Sequence, residues 1–214
     1  MSASVVSVAL LGNPVLDAID GGHAWAGVIG YDRLDPGNPD EVAQFHASLP
    51  PPYVSDDQGL TNPMWGLVAK TLGVMQGYAR FAYALTDGPD DNYLVSNFQN
   101  PTSVNNAGIA AQPGNGQILA FNRATWDTYS DQQQDWIVVH ELGHTLGLQH
   151  VAGLPAALDY SQYTIMSYNW SQLGDENTGE GLPLTPMALD VALLQARYGA
   201  TTTNLGDTTY ALSN

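Results

Sequence analysis

The chain has 214 residues, no cysteine, and 21 acidic against 5 basic side chains, for a formal net charge of −16. That length suits one domain with a real hydrophobic core, while the acidic balance disfavours nucleic acid and anionic membranes, which need clustered Lys and Arg. Without cysteine, disulfides, zinc–thiolate sites and thiol nucleophiles are excluded, and no apolar run reaches the roughly 18 residues of a bilayer span.

The start of the chain, Met1 to Leu11, carries Val5, Val6, Val8, Leu10 and Leu11 with no basic residue ahead of them. It reads as a strand and is too short for a secretory signal. The first strong helix signal is Asn62-Pro63, with Asn62 as N-cap and Pro63 at the first helical position. Met64, Leu67, Val68, Leu72, Met75 and Ala79 then step by three and four. This spacing predicts about four turns with one buried face. Gly66, Gly73 and Gly77 weaken that helix intrinsically, so it depends on packing. Phe81 to Leu85 alternates large and small side chains and reads as a strand, as do Tyr93 to Phe98 and Gln117 to Phe121. Between the last two lies Ala107 to Gln112, a stretch of small residues stopped by Pro113-Gly114-Asn115-Gly116. Proline beside a short strand points to a sheet edge.

Ser130 and Gln133 form a capping-box pair, and Asp131 suits the positive end of a helix dipole. The helix they start is predicted to run through Trp136, Ile137, Val138 and Leu142 and to stop at Gly147. A last helix is expected from Thr185-Pro186, carrying Leu189, Val191, Leu193 and Leu194 and ending at Gly199. Residues 150–183 are rich in Gly, Pro and Asn and lack a period, and connections that long are usually functional. The order of elements is an α+β pattern. The acids occur in pairs at most, such as Asp40-Glu41, Asp56-Asp57, Asp90-Asp91 and Asp175-Glu176. With no EF-hand loop and no Gly-Asp nonapeptide repeat, they read as a solvated surface; calcium binding is left open with no motif behind it.

The chemistry concentrates in His140-Glu141-Leu142-Gly143-His144 and the following Thr145-Leu146-Gly147-Leu148-Gln149-His150, which hold three of the chain's five histidines. On a helix, His140 and His144 share one face one turn apart and can hold one metal ion. Glu141 lies about 100° round from His140, beside the metal, where a base can touch the metal's water. Gly147 can adopt a left-handed conformation and turn the chain sharply, which lets His150 return as a third ligand. Three neutral imidazoles leave a fourth position open, the mark of catalytic rather than structural zinc.

The run from His140 to His150 resembles the long zinc signature of the metzincin metalloproteases. Thr164-Ile165-Met166-Ser167-Tyr168 resembles the tight turn that places a Met beneath their metal. Its Met-Ser-Tyr form is similar to that of the serralysins. Leu184 to Asp190, through Tyr198-Gly199-Ala200, resembles the C-terminal helix of the serralysin protease domain. Val15-Leu16-Asp17-Ala18, through Gly22 and Trp25, resembles the start of the mature enzyme, and Gly206 to Tyr210 the lead into its calcium-binding repeat domain. The resemblance is strong over 136–200 and loose over 1–130. Two departures stand out. Val151 occupies the position where serralysins usually have Pro, and the segment from His150 to Met166 is shorter. Both concern the wall of the specificity pocket, so family substrate preferences are not carried over.

The resemblance implies a metzincin-type α+β domain. Its parts are a twisted, mostly parallel sheet with an antiparallel edge strand, an active-site helix, a Met-containing turn and a C-terminal helix. It would cover residues 1–199, with an upper part to about 150 and a smaller lower part over 151–199. Residues 200–214 would form a tail leading to a repeat domain that this chain lacks. One catalytic zinc would be held by His140, His144 and His150. Glu141 would be the general base, and Met166 would lie below the metal. Tyr168 would ligate zinc at rest and swing to the oxyanion during turnover. Ala107, Gly108, Ile109 and Ala110 would pair with an extended peptide, and Val151 would shape the pocket. The expected function is a zinc-dependent endopeptidase acting on protein or peptide substrates, secreted and monomeric. The alternatives are a narrow-specificity processing protease and a non-catalytic zinc- or peptide-binding module; Glu141 argues against the latter. A calcium-dependent adhesion domain would leave the three histidines unexplained. His23 and His46 are expected in loops, partly exposed.

Overall fold

A computed structural model describes residues 3–86, 91–100, 106–170 and 181–202. In chain order it contains β1 (Ser4–Ser7), α1 (Pro14–Asp17), β2 (His23–Ala26), β3 (Val28–Arg33), α2 (Pro39–Ser48), β4 (Val54–Ser55) and α3 (Asn62–Gln76). There follow β5 (Ala82–Thr86), β6 (Tyr93–Gln99), β7 (Gly108–Ala110), β8 (Ile118–Asn122), α4 (Arg123–Trp126), α5 (Asp131–Thr145) and α6 (Ala188–Tyr198).

The main sheet has the order β5-β3-β6-β8-β7. Its first four strands are parallel neighbours, whereas β7 runs antiparallel to β8 at the edge and β4 pairs antiparallel with the end of β6. The architecture is thus mixed α/β with a mostly parallel sheet. Such sheets need cover on both faces, and the side-chain pattern supplies it. Along β6, Tyr93 and Val95 join the larger core while Leu94 and Phe98 join a smaller one. Along β8, Leu119 and Phe121 take the first side, Ile118 and Ala120 the second. The two-residue period of a strand divides them. Val68 and Leu72 of α3, Val138 and Leu142 of α5, and Leu193 and Leu194 of α6 fill the larger core. Phe45 of α2 fills the smaller one. β1 and β2 form a separate antiparallel pair in which Val5 faces Trp25.

Several boundaries differ from the sequence reading. The N-cap of α3 is Thr61, whose hydroxyl accepts from Met64 N at 3.4 Å; Asn62 instead accepts from Arg33 at 2.8 Å. α6 begins at Ala188, three residues after Thr185, because the Asp190 carboxylate takes the Met187 N–H at 2.8 Å and starts the first turn there. His23 and His46 are not in loops: His23 opens β2, and His46 lies on α2 with Nε2 2.6 Å from Asp57. The initial strand is confined to Ser4–Ser7, leaving Leu10 and Leu11 exposed. Asp90, Asp175-Glu176 and the tail residues Gly206 to Tyr210 lie outside the described residues. Among those described, no helix is long and apolar enough to cross a membrane.

Leu72 is fully buried where α3 meets the sheet. Leu72→Ala should cost ~2–5 kcal/mol of unfolding free energy, from lost transfer and residual cavity together. Urea titration of the two proteins checks this, and a loss below about 1 kcal/mol would contradict the packing described.

Candidate metal centre

The capping box that starts α5 forms as the sequence implies: Ser130 Oγ accepts from Gln133 N at 3.3 Å, and Gln133 Oε1 accepts from Ser130 N at 2.8 Å. Ile137, Val138, Val139 and Leu142 pin the helix to the core, which buries His140 and His144 on the adjoining face. At its end Gly147 N donates to His144 O at 2.9 Å and Leu148 N to Gly143 O at 3.0 Å. These bonds close the helix while Gly147, at φ +96°, reverses the chain. A Cβ at this position would also collide with the His23 carbonyl. The reversal returns His150 to the helix face, with its Nε2 3.1 Å from His140 Nε2 and 3.0 Å from His144 Nε2. The Tyr168 hydroxyl lies 2.8 Å from the same His150 nitrogen.

Backbone carbonyls fix two of the rings. His140 Nδ1 donates to Ile165 O at 2.7 Å and His144 Nδ1 to Leu148 O at 2.9 Å. A carbonyl only accepts, so each Nδ1 carries the proton and each Nε2 presents a lone pair. Burial pushes the His140 imidazole down to about 3, helped by the neighbouring His144 and His150, and His144 down to about 4. His150 is also lowered by burial. At neutral pH the rings are therefore uncharged.

The residues present fit zinc. The Nε2 lone pairs of His140 and His144 converge with the His150 Nε2 on one point, where a cation could be shared by all three rings. Tetrahedral nitrogen ligands on zinc stand roughly 3.3 Å apart, within a few tenths of an ångström of the spacing here. Three imidazoles and one phenol, with no thiolate, also suit zinc chemically. Among the described residues this is the one His/Cys/Asp/Glu group whose ligand atoms fall within metal-binding reach of each other.

Met166 packs against α5. Its Cε approaches Gly143 so closely that a Cβ there would meet it at 2.8 Å. The turn carrying it hangs from Asp190 of α6: Oδ1 accepts from Thr164 Oγ1 at 2.6 Å, and Oδ2 accepts from Ile165 N at 2.8 Å. Burial pushes this carboxyl up to about 6 despite its three donors. Asp190 thus sets the Ile165 carbonyl that orients His140. Its role was not apparent in the sequence, where it is only an acid in the first turn of a predicted helix.

Glu141 is buried beside the histidines, and burial raises its carboxyl to about 8. The edge strand presses against it: a Cβ on Gly108 would lie 2.8 Å from Glu141 Oε1. Glu141 and His140 open into a cavity of about 780 Å³, lined also by Tyr129, Trp136, Trp170, Gly108 and Tyr168. The Trp136 ring centre lies 5.2 Å from that of Trp170 and 5.5 Å from that of His140, each pair tilted at 47°. These aromatic walls were not assigned from sequence, since Trp136 reads there as a helix-face apolar residue. Of the expected peptide-pairing residues, Gly108, Ile109 and Ala110 form β7 and Ala107 precedes it; Ala107 and Gly108 line the cavity. Val151 packs against the larger core and is not among the cavity's lining residues. Tyr168 is 58% exposed.

No family model matches the chain. It is 35% identical to the Serralysin of Photorhabdus laumondii over 94 residues, covering 35% of this chain and 19% of that protein. It is 34% identical to the Serralysin of Photorhabdus luminescens over 128 residues, covering 48% of this chain and 26% of that protein. It is 37% identical to Metallopeptidase AprA of Pseudomonas marginalis over 98 residues, covering 36% and 20% respectively. The alignments thus take in about a fifth to a quarter of the relatives' length. They support a serralysin-like metalloprotease relationship.

Gly147→Ala should destabilise the metal-free protein by ~1–3 kcal/mol through its positive φ, with the His23 carbonyl clash adding to that. Chemical denaturation reads the loss. An unchanged midpoint would mean that this turn is not required.

Proposed function

We propose that the chain is a zinc-dependent endopeptidase of the metzincin type, hydrolysing peptide bonds of protein substrates with Glu141 as general base. The observation that carries this reading is a buried carboxyl, with three converging imidazoles beside it, opening into one cavity along a sheet edge. His140, His144 and His150 would hold zinc, with Tyr168 as a further ligand at rest and Met166 beneath. Bound zinc would polarise the scissile carbonyl and lower the pKa of water towards about 7.

Glu141 would take the proton from the attacking water and hand it to the leaving amine. Its burial raises the carboxyl's proton affinity, which suits delivery of the proton, while the charge of bound zinc nearby would favour the carboxylate that accepts it. Burial and the nearby Glu141 charge hold the Tyr168 phenol up at about 12. Released from the metal, the phenol would be protonated and could donate to the developing oxyanion. Ala107, Gly108, Ile109 and Ala110 would receive an extended peptide by main-chain pairing, since β7 lies at the edge of the sheet. The aromatic walls would hold a side chain next to the cut. Residues 1–199 would be the catalytic domain, with the cleft between its parts above and below residue 150; Val151 would act on the pocket through the chain that follows it. By resemblance the protein would be secreted and monomeric.

A narrow processing specificity is the second reading, favoured by Trp136 and Trp170, whose paired rings would select the side chain they enclose. A purely zinc-binding module is disfavoured, because burying Glu141 costs stability and contributes nothing to metal binding.

Incubation of zinc-loaded protein with unfolded casein and a mixed peptide library tests the proposal. The parent should cleave, a chelator should stop it, and added zinc should restore it. Glu141→Gln should keep one zinc and lose about 10²–10⁴ in turnover. Retention of full activity by this variant would remove Glu141 as the base. Tyr168→Phe should lower kcat by roughly 10²–10³ with little change in KM; an unchanged kcat would take Tyr168 out of the site.

A further inference from the structure

The segment that carries the third histidine is held by more than α5. Residues 18–22, near the start of the chain, lie antiparallel beside residues 147–152. Gly21 N donates to Gly147 O at 2.9 Å, Gln149 N to Ile19 O at 2.8 Å, and Ala152 N to Ala18 O at 2.9 Å. Asp20 and Leu148 face each other as a bridge pair. The approach is tight, since a Cβ on Gly21 would stand 2.9 Å from Gly147 O. These bonds brace both ends of the loop, with His150 between them. They also fix Leu148, whose carbonyl orients His144 and accepts from Gln112 at 3.1 Å.

α6 fastens this strap in turn. Arg197 Nη2 pairs with Asp20 Oδ2, and Arg197 Nη1 donates to Ala9 O at 2.9 Å. Asp20 Oδ1 accepts from Gly22 N at 2.9 Å. The Arg197 and Asp20 side chains are only 7% and 1% exposed. A buried ion pair is a weak stabiliser, because desolvation offsets its attraction; in some proteins what it contributes is a defined geometry. This pair sits on the strap directly opposite Leu148, between the carbonyl that orients one histidine and the loop that carries another.

We propose that Asp20 and Arg197 are positioning residues for the metal centre. Their buried ion pair locks residues 18–22 against residues 147–152, so that His150 stands where His140 and His144 converge. The inference rests on reading the three histidines as a zinc site. It requires reciprocity: if an ordered strap favours the metal, the metal must order the strap.

Zinc affinity, measured by competition with a chromogenic chelator, and the cobalt(II) d–d spectrum test it. The proteins compared are the wild type, Arg197→Lys, and the double variant Asp20→Asn/Arg197→Met, which removes both charges at once. Each is first shown by circular dichroism to be folded without metal, so lost stability alone cannot lower affinity. The double variant should bind zinc roughly 10–100-fold more weakly and shift the cobalt spectrum, with Arg197→Lys in between. A folded double variant with wild-type affinity and spectrum overturns the proposal. If the double variant does not fold, hydrogen exchange of the wild type decides. Zinc should slow the amides of Gly21, Gln149 and Ala152 at least about tenfold more than those of β5, a coupling within the usual range; equal slowing overturns it. A wild-type protein that binds no zinc removes the metal-site reading itself, and this inference with it.

Discussion

Three imidazole nitrogens converge, that of His150 standing about 3 Å from each of the other two, in an arrangement that the chain alone disfavours. Two of them present lone pairs by virtue of their protonated Nδ1 atoms, and burial denies all three rings a compensating proton. Most of the architecture around the centre reads as a response to that constraint. The carbonyl of Ile165 holds one ring and that of Leu148 another, and neither belongs to α5. The centre is therefore assembled from a helix, the reversed segment after it and a distant turn. Each must be independently pinned before the nitrogens can converge. Because the ligands must be neutral to bind, burial prepares the site for a cation while weakening the fold without one.

Close approach is the second requirement, and glycine meets it at two places. Gly143 lets Met166 rise against the underside of the helix, and Gly108 lets the edge strand lie on Glu141. Any larger residue would move the turn or the strand by a fraction of an ångström or more. Glu141 is consequently buried at the inner end of the cavity, where its charged form is disfavoured and its proton affinity is high. The same closeness brings the edge of the sheet to the candidate metal centre. A chain bound along β7 would pass directly over the carboxyl.

Local chemistry was the legible part of the sequence. The Ser130–Gln133 capping box, the one-turn spacing of His140 and His144, and the reversal at Gly147 all depend on residues close in the chain, and all appear in the structure. The edge position of the 107–112 segment followed from its small residues and the proline after them. Boundaries set by distant partners were less legible. α6 starts late because Asp190 serves its own first turn and the Met166 turn together. Asn62 is released from capping by Thr61 and engages Arg33 of β3. The Asp20–Arg197 pair joins residues 177 apart in the sequence. No periodicity marks such a contact, since a single acid and a single base carry no spacing to read. Pocket walls were hidden for a related reason: Trp136 on a helix face looks like any core residue until Trp170 is brought against it.

α6 ties these pieces together. Asp190 and Arg197 are seven residues apart, close to two full turns, so both project from one face of the helix. Leu193 and Leu194 lie buried between them and seat that face in the core. From one end Asp190 sets the turn that orients His140; from the other Arg197 holds the strap along the His150 segment, and Tyr198 donates to Leu146 O at 2.9 Å. Ligand-bearing segments on both sides of the centre are thus referenced to a single 11-residue element. Two charged groups buried on a helix face are costly, and a core built for stability alone would replace them with leucine. Their presence is understandable if α6 serves as a rigid gauge between the two halves of the centre. Relative placement of the histidines then depends on side-chain hydrogen bonds of fixed length rather than on the slack of the connections between them.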